Sequence, residues 1–195
     1  MKTKLKINPL FLIIWGVLAF ADRSEYVLYL FTAAMIHESA HIGAYLTYGA
    51  QMEYVEIMPF GLSAKLRNMT DISCSKEIIS SLAGIAANLS AALICLILQG
   101  LDMEGIGFFF TCNLWLALIN LIPIMPLDGG RALYYLLLKK TTLMKAKKIS
   151  LIISIILLIP LFIASIWILT INHFNFSLLL IVLYLLFYLI VKKTD

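Results

Sequence analysis

Apolar residues fall in blocks too long for a water-soluble fold. Runs at 9–21, 26–47, 77–98, 106–124, 149–171 and 177–191 alternate with short polar or charged breaks. A helix needs about 20 apolar residues to cross a bilayer, so the pattern predicts an all-α polytopic membrane protein with about six transmembrane helices. Residues 80–92 are rich in Ser, Gly and Ala, which lets helix backbones approach closely and marks 77–98 as a central helix. One stretch has another texture. Around Tyr54, Val55 and Ile57, β-branched and aromatic residues precede a Pro59-Phe60-Gly61 turn. This reads as two short strands, a small β-hairpin too polar to cross the membrane.

Composition agrees with the pattern. The chain has 195 residues, 62% apolar and 13% charged, with a mean hydropathy of +0.97. Soluble domains are roughly 45–50% apolar and about 25% charged, so a soluble globule and a disordered chain are both excluded. The length leaves no room for a large extramembrane domain, and residues 1–195 read as one domain. The three cysteines form no CxxC pair and read as unpaired packing thiols.

The placement of charge says more than its net value of +4. With six spans, every Lys and Arg except Arg23 falls on one side: Lys2, Lys4, Lys6, Lys65, Arg67, Lys76, Arg131, the five lysines from Lys139 to Lys148, Lys192 and Lys193. The positive-inside rule makes that side the cytoplasm, with both termini there. The 139–148 cluster, read as a loop, suits anionic lipid, and a nucleic-acid partner is not expected. The Lys-rich start and Ala19-Phe20-Ala21 also fit a cleavable signal, with the same orientation for the later spans.

Candidate chemistry lies inside the second run. His37-Glu38-Ser39-Ala40-His41 is an H-E-x-x-H pattern that uses two of the chain's three histidines. Positions i and i+4 share a helix face, so both imidazoles can hold one metal ion, with Glu38 as general base toward water. Ionisable groups inside a membrane helix are costly and point to function. The plainer alternative is a polar cluster that pins helices together. A catalytic zinc wants a third protein ligand. Asp128 is the best placed, where Pro123 and Pro126 break the helix before Gly129 and Gly130. His41 and Asp128 both fall in the cytoplasmic half of their spans, which sets the expected site toward the cytoplasm. The alternative for Asp128 is a helix N-cap. His173 falls in an outer loop and reads as a solvated histidine.

These motifs, with Asn120-Leu121-Ile122-Pro123-Ile124-Met125-Pro126-Leu127-Asp128-Gly129-Gly130-Arg131, resemble the site-2 protease family of intramembrane zinc metalloproteases. Ala83-Gly84-Ile85-Ala86-Ala87-Asn88 resembles the family's third motif, with Ile85 where Pro is usual, and Met58-Pro59-Phe60-Gly61 resembles its re-entrant hairpin. The likeness covers residues 26–138. It implies one Zn2+ per chain on His37, His41 and Asp128, with Glu38 as base. It also implies that Asn88 positions substrate or stabilises the oxyanion. Tyr54, Val55, Ile57, Pro59, Phe60 and Gly61 would bind an unwound substrate by strand pairing, with residues 54–57 as the free edge.

The absence of PDZ and CBS domains makes the layout most like the stage IV sporulation protein FB branch. That implies a membrane-associated protein substrate such as a sigma-factor precursor, and membrane inhibitor proteins as partners. Two readings compete with the protease: a transporter with a buried ion site, and a non-catalytic membrane scaffold.

Overall fold

The computed structural model describes residues 4–9, 11, 13, 26–58, 61–66, 72–98, 105–171 and 177–193. Most of the first apolar run, Pro59, Phe60 and His173 lie outside them. Three strands and six long helices appear among the described residues: β1 (Lys4–Ile7), α1 (Tyr26–Thr47), β2 (Met52–Met58), β3 (Gly61–Leu66), α2 (Cys74–Leu98), α3 (Ile106–Leu121), α4 (Asp128–Leu138), α5 (Leu143–Ile171) and α6 (Ser177–Lys193). The chain divides into two compact units, Met1–Ile119 and Asn120–Asp195.

In the first unit α1 packs on α2. The buried stripe of α1 is Ala33, His37, His41 and Tyr45, one residue per turn. The facing residues of α2 include Ser80, Ser81, Gly84, Asn88 and Ala92. Small side chains on α2 leave room for the imidazoles of α1. Tyr45 closes the stripe by donating its hydroxyl to Glu77 Oε2 at 2.9 Å.

The sheet corrects the expected hairpin. It has three strands in the order β1-β2-β3. β2 and β3 are antiparallel, with Met58 opposite Gly61. β1 lies parallel to β2, from Lys4 opposite Tyr54 to Ile7 opposite Ile57. Tyr54, Val55 and Ile57 therefore sit in the central strand, and residues 54–57 offer no free edge. The sequence hid β1 because its lysines read as a topology signal. Lys4-Leu5-Lys6-Ile7 nevertheless alternates polar and apolar, the period of a strand. Lys6 finds a partner: its Nζ lies 3.9 Å from the centre of the Tyr54 ring. Beside it, Asn8 donates to Glu56 Oε1 at 3.0 Å.

The second unit is built on Ile124, Leu158, Val182, Leu185 and Leu189, with Ile122, Met125 and Leu127 packed against them. Residues 122–127 are thus irregular backbone held on protein, the condition under which such backbone survives at membrane depth. Its amides are satisfied locally. Leu127 N donates to Ile124 O at 2.8 Å, and Met125 N donates to Ser154 Oγ at 3.0 Å. Ser154, fully buried on α5, donates its own hydroxyl to Ser150 O at 2.8 Å. A Cβ at Gly129 would collide with the carbonyls of Leu121 and Ile122, and one at Gly130 with the Ile124–Met125 peptide. The glycine pair lets α4 start directly against this backbone. Lys145, Lys147 and Lys148, expected in a loop, belong to the first turns of α5.

The surface is apolar where soluble folds are polar. Ile97, Trp115, Ile156, Trp167 and Phe187 are all more than half exposed. α2 and α5 are long and apolar enough to cross a membrane, and Ile106–Leu121 and Leu178–Ile190 are shorter apolar helices.

Candidate metal centre

His37 and His41 are buried side by side on α1, with ring centres 4.7 Å apart. What surrounds them decides which nitrogen carries the proton. His41 Nδ1 lies 2.6 Å from Ser80 O. A backbone carbonyl only accepts, so Nδ1 is the protonated nitrogen and Nε2 keeps its lone pair. His37 Nδ1 lies 2.6 Å from Asn88 Oδ1. The Asn88 amide has one orientation, because its Nδ2 donates to Ala33 O at 3.0 Å and to Asn113 Oδ1 at 2.7 Å. Its carbonyl therefore faces His37, and His37 Nδ1 is the donor.

Both Nε2 atoms are left as acceptors, and they stand 3.1 Å apart. Two lone pairs that close repel one another, and a shared cation relieves the repulsion. The pair is thus built for a metal ion, with each imidazole oriented through its other nitrogen in the way metal-ligating histidines usually are.

α2 presses its backbone against this pair. A Cβ at Gly84 would lie 2.5 Å from His41 Nε2 and 2.8 Å from both Cε1 and Nε2 of His37. Glu38, the next residue along α1, is half-buried.

Asp128 is buried as the first residue of α4. The N-cap is Leu127, which makes no side-chain cap bond, so the capping alternative for Asp128 fails. Its carboxylate stands at a helix N-terminus, where negative charge is favoured, with Arg131 Nη1 3.9 Å from Oδ1. His37, His41 and Asp128 are each buried. An imidazole pair and a carboxylate suit zinc.

Asn88 has its carbonyl on His37 Nδ1 and both amide hydrogens engaged by Ala33 O and Asn113 Oδ1. Asn113 was missed altogether, although an amide in the apolar run 106–124, which also holds Asn120, is itself a signal. Of the hairpin residues, Tyr54, Val55 and Ile57 lie in β2 and Gly61 opens β3.

The model of peptidase family M50 matches residues 103–161, a segment that contains Asp128 but not the histidine pair. A zinc metalloprotease of Methanocaldococcus jannaschii is 31% identical over 127 residues, covering 62% of this chain and 37% of that protein. Stage IV sporulation protein FB of Bacillus subtilis is 24% identical over 151 residues, covering 76% of this chain and 52% of that protein. The chain thus spans about half or less of these curated relatives. The solved structure of a site-2 protease from M. jannaschii shares the fold, with a TM-score of 0.67 at 24% identity over 96% of this chain and 90% of that one.

The fold is that of a solved site-2 protease. The chain's sequence likeness is to peptidase family M50 over residues 103–161 and to a zinc metalloprotease over 127 residues.

Proposed function

We propose that this chain is an intramembrane endopeptidase with one zinc ion held by His37, His41 and Asp128. The observation that carries the reading is the buried imidazole pair with both Nε2 lone pairs turned to one point. Zinc bound there supplies Lewis-acid chemistry to the scissile carbonyl. Glu38 takes a proton from the attacking water and returns it to the departing amine, so the peptide bond is exchanged for a carboxyl and an amino group. Asn88 and Ser80 O hold the imidazoles still while this happens. Metal analysis and cleavage assays on wild type, Glu38→Gln and Asp128→Ala test the reading, with the outcomes set out in the Discussion.

The substrate class is a membrane-associated segment of another protein. A helix hides its carbonyls in i→i+4 bonds, so it must unwind against replacement partners. With β2 central, the outer edge of β3 takes the role first read for residues 54–57. Adjacent N–H groups of a strand point to opposite edges, so one of Ser63 and Ala64 donates outward. A proline there removes that donor while sparing the ladder to β2. One of Ser63→Pro and Ala64→Pro is expected to slow cleavage of a helical substrate several-fold with zinc retained. Unchanged turnover in both variants would exclude pairing at β3.

A sporulation sigma-factor precursor as substrate, with membrane inhibitors as partners, is supported by the likeness to stage IV sporulation protein FB. For orientation, β1 pairs with β2, so the chain between them must leave one membrane face and return, an even number of crossings. That agrees with spans at 9–21 and 26–47, and with six in all. Both termini and the zinc site then face the cytoplasm. Single cysteines introduced at Leu127 and Tyr134 are expected to react with impermeant thiol reagents from the cytoplasmic side only. Labelling from outside would reverse the topology.

A further inference from the structure

The hydrogen bonds behind His37 do not stop at Asn88. Asn113 Nδ2, on α3, donates to Phe109 O at 2.9 Å. Its Oδ1 accepts from Asn88 Nδ2 at 2.7 Å. Asn88 Oδ1 in turn accepts from His37 Nδ1 at 2.6 Å. Asn88 and Asn113 are both fully buried, so water does not compete for either amide.

The direction of this chain is forced from its far end. Phe109 O cannot donate, so the Asn113 amide must turn its nitrogen toward it and its oxygen toward Asn88. Asn88 must then turn its nitrogen toward Asn113 and Ala33 O, and its oxygen toward His37. An oxygen there demands N–H at Nδ1 of His37, which leaves Nε2 as the ligand atom. If Asn88 turned over, its nitrogen would face His37 Nδ1. The imidazole proton would then move to Nε2, and His37 could no longer bind metal.

We propose that Asn113 is a positioning residue for the metal. It locks the Asn88 amide, and through it the His37 tautomer, across three helices. The proposal rests on the zinc reading above. It assigns a role to a residue remote from zinc and outside the H-E-x-x-H and L-D-G motifs.

The test compares full-length Asn113→Leu and Asn113→Asp with wild type, in detergent or liposomes. Zinc affinity is read by chelator competition and folding by thermal midpoint. Leu has similar bulk but no acceptor. It is expected to weaken zinc binding about 10- to 100-fold, the usual cost of losing a partner behind a metal ligand. The buried carboxyl introduced by Asn113→Asp stays protonated and reproduces the amide pattern, with O–H toward Phe109 O and C=O toward Asn88. It is expected to stay within about threefold of wild-type affinity, since the donor–acceptor order behind the metal-ligating imidazole is kept. If Asn113→Leu does not fold, Asn113→Ala, which makes no steric demand, carries the same expectation of weakened binding. Wild-type zinc affinity in a folded Leu or Ala variant would overturn the proposal, as would equal losses in the Leu and Asp variants. Absence of zinc from the wild type would instead overturn the metal reading itself.

Discussion

Glu38→Gln is expected to leave zinc stoichiometric and to cut hydrolysis by about 10²–10⁴-fold, the usual contribution of a positioned general base. The amide matches the carboxylate in size and makes little change to packing on α1. It cannot accept a proton from water, so the loss falls on turnover and not on metal content. Asp128→Ala should behave in the opposite order. It removes one of three ligands, so zinc content falls first and activity falls because the metal has gone. Metal analysis of the purified variants separates the two roles. Zinc at one equivalent in Asp128→Ala would remove Asp128 from the ligand set. Activity retained in Glu38→Gln would assign the base to another group.

Gly84→Ala should be nearly as damaging, although it adds only one carbon. That carbon would sit 2.5 Å from His41 Nε2 and 2.8 Å from His37 Nε2, at the atoms that face the metal. Neither ring can give way cheaply, because His41 is tied to Ser80 O and His37 to Asn88. The added carbon would crowd the two Nε2 atoms that a bound metal needs, so the strain falls most heavily on the metal-bound state. Overpacking typically costs about 1–3 kcal/mol, which corresponds to zinc binding roughly 5- to 150-fold weaker. Chelator competition reads this directly, and Gly84→Ser should be no better. Wild-type affinity in Gly84→Ala would mean that α2 does not press on the pair.

The legible parts of the site were those whose chemistry is rare in an apolar chain. His37, Glu38, His41 and Asp128 stand out because charge and imidazole are expensive in lipid, and their spacing is set by the helix turn. The illegible parts depend on contacts between segments distant in sequence. Asn88 could be noticed, but only its three hydrogen bonds show that its amide is fully engaged. Asn113 and Ser154 gain meaning from Phe109 O and Met125 N, which no local pattern links to them. The β-hairpin was visible from composition and its turn. Its third strand was not, because parallel pairing joins residues roughly 50 positions apart and leaves no turn signature.

That parallel strand also has a consequence for how the protein is made. Lys4–Ile7 leaves the ribosome long before Met52–Met58, its partner. Until β2 emerges, β1 can only wait as unpaired chain while the intervening residues are synthesised. Closing a loop of this length carries an entropic cost that grows only slowly with length, on the order of (3/2)RT ln n. The sheet is therefore a late clasp, formed only after the segment carrying His37 and His41 has been synthesised. A nascent chain stalled before residue 52 would expose β1 to proteases, and one released past residue 66 would protect it.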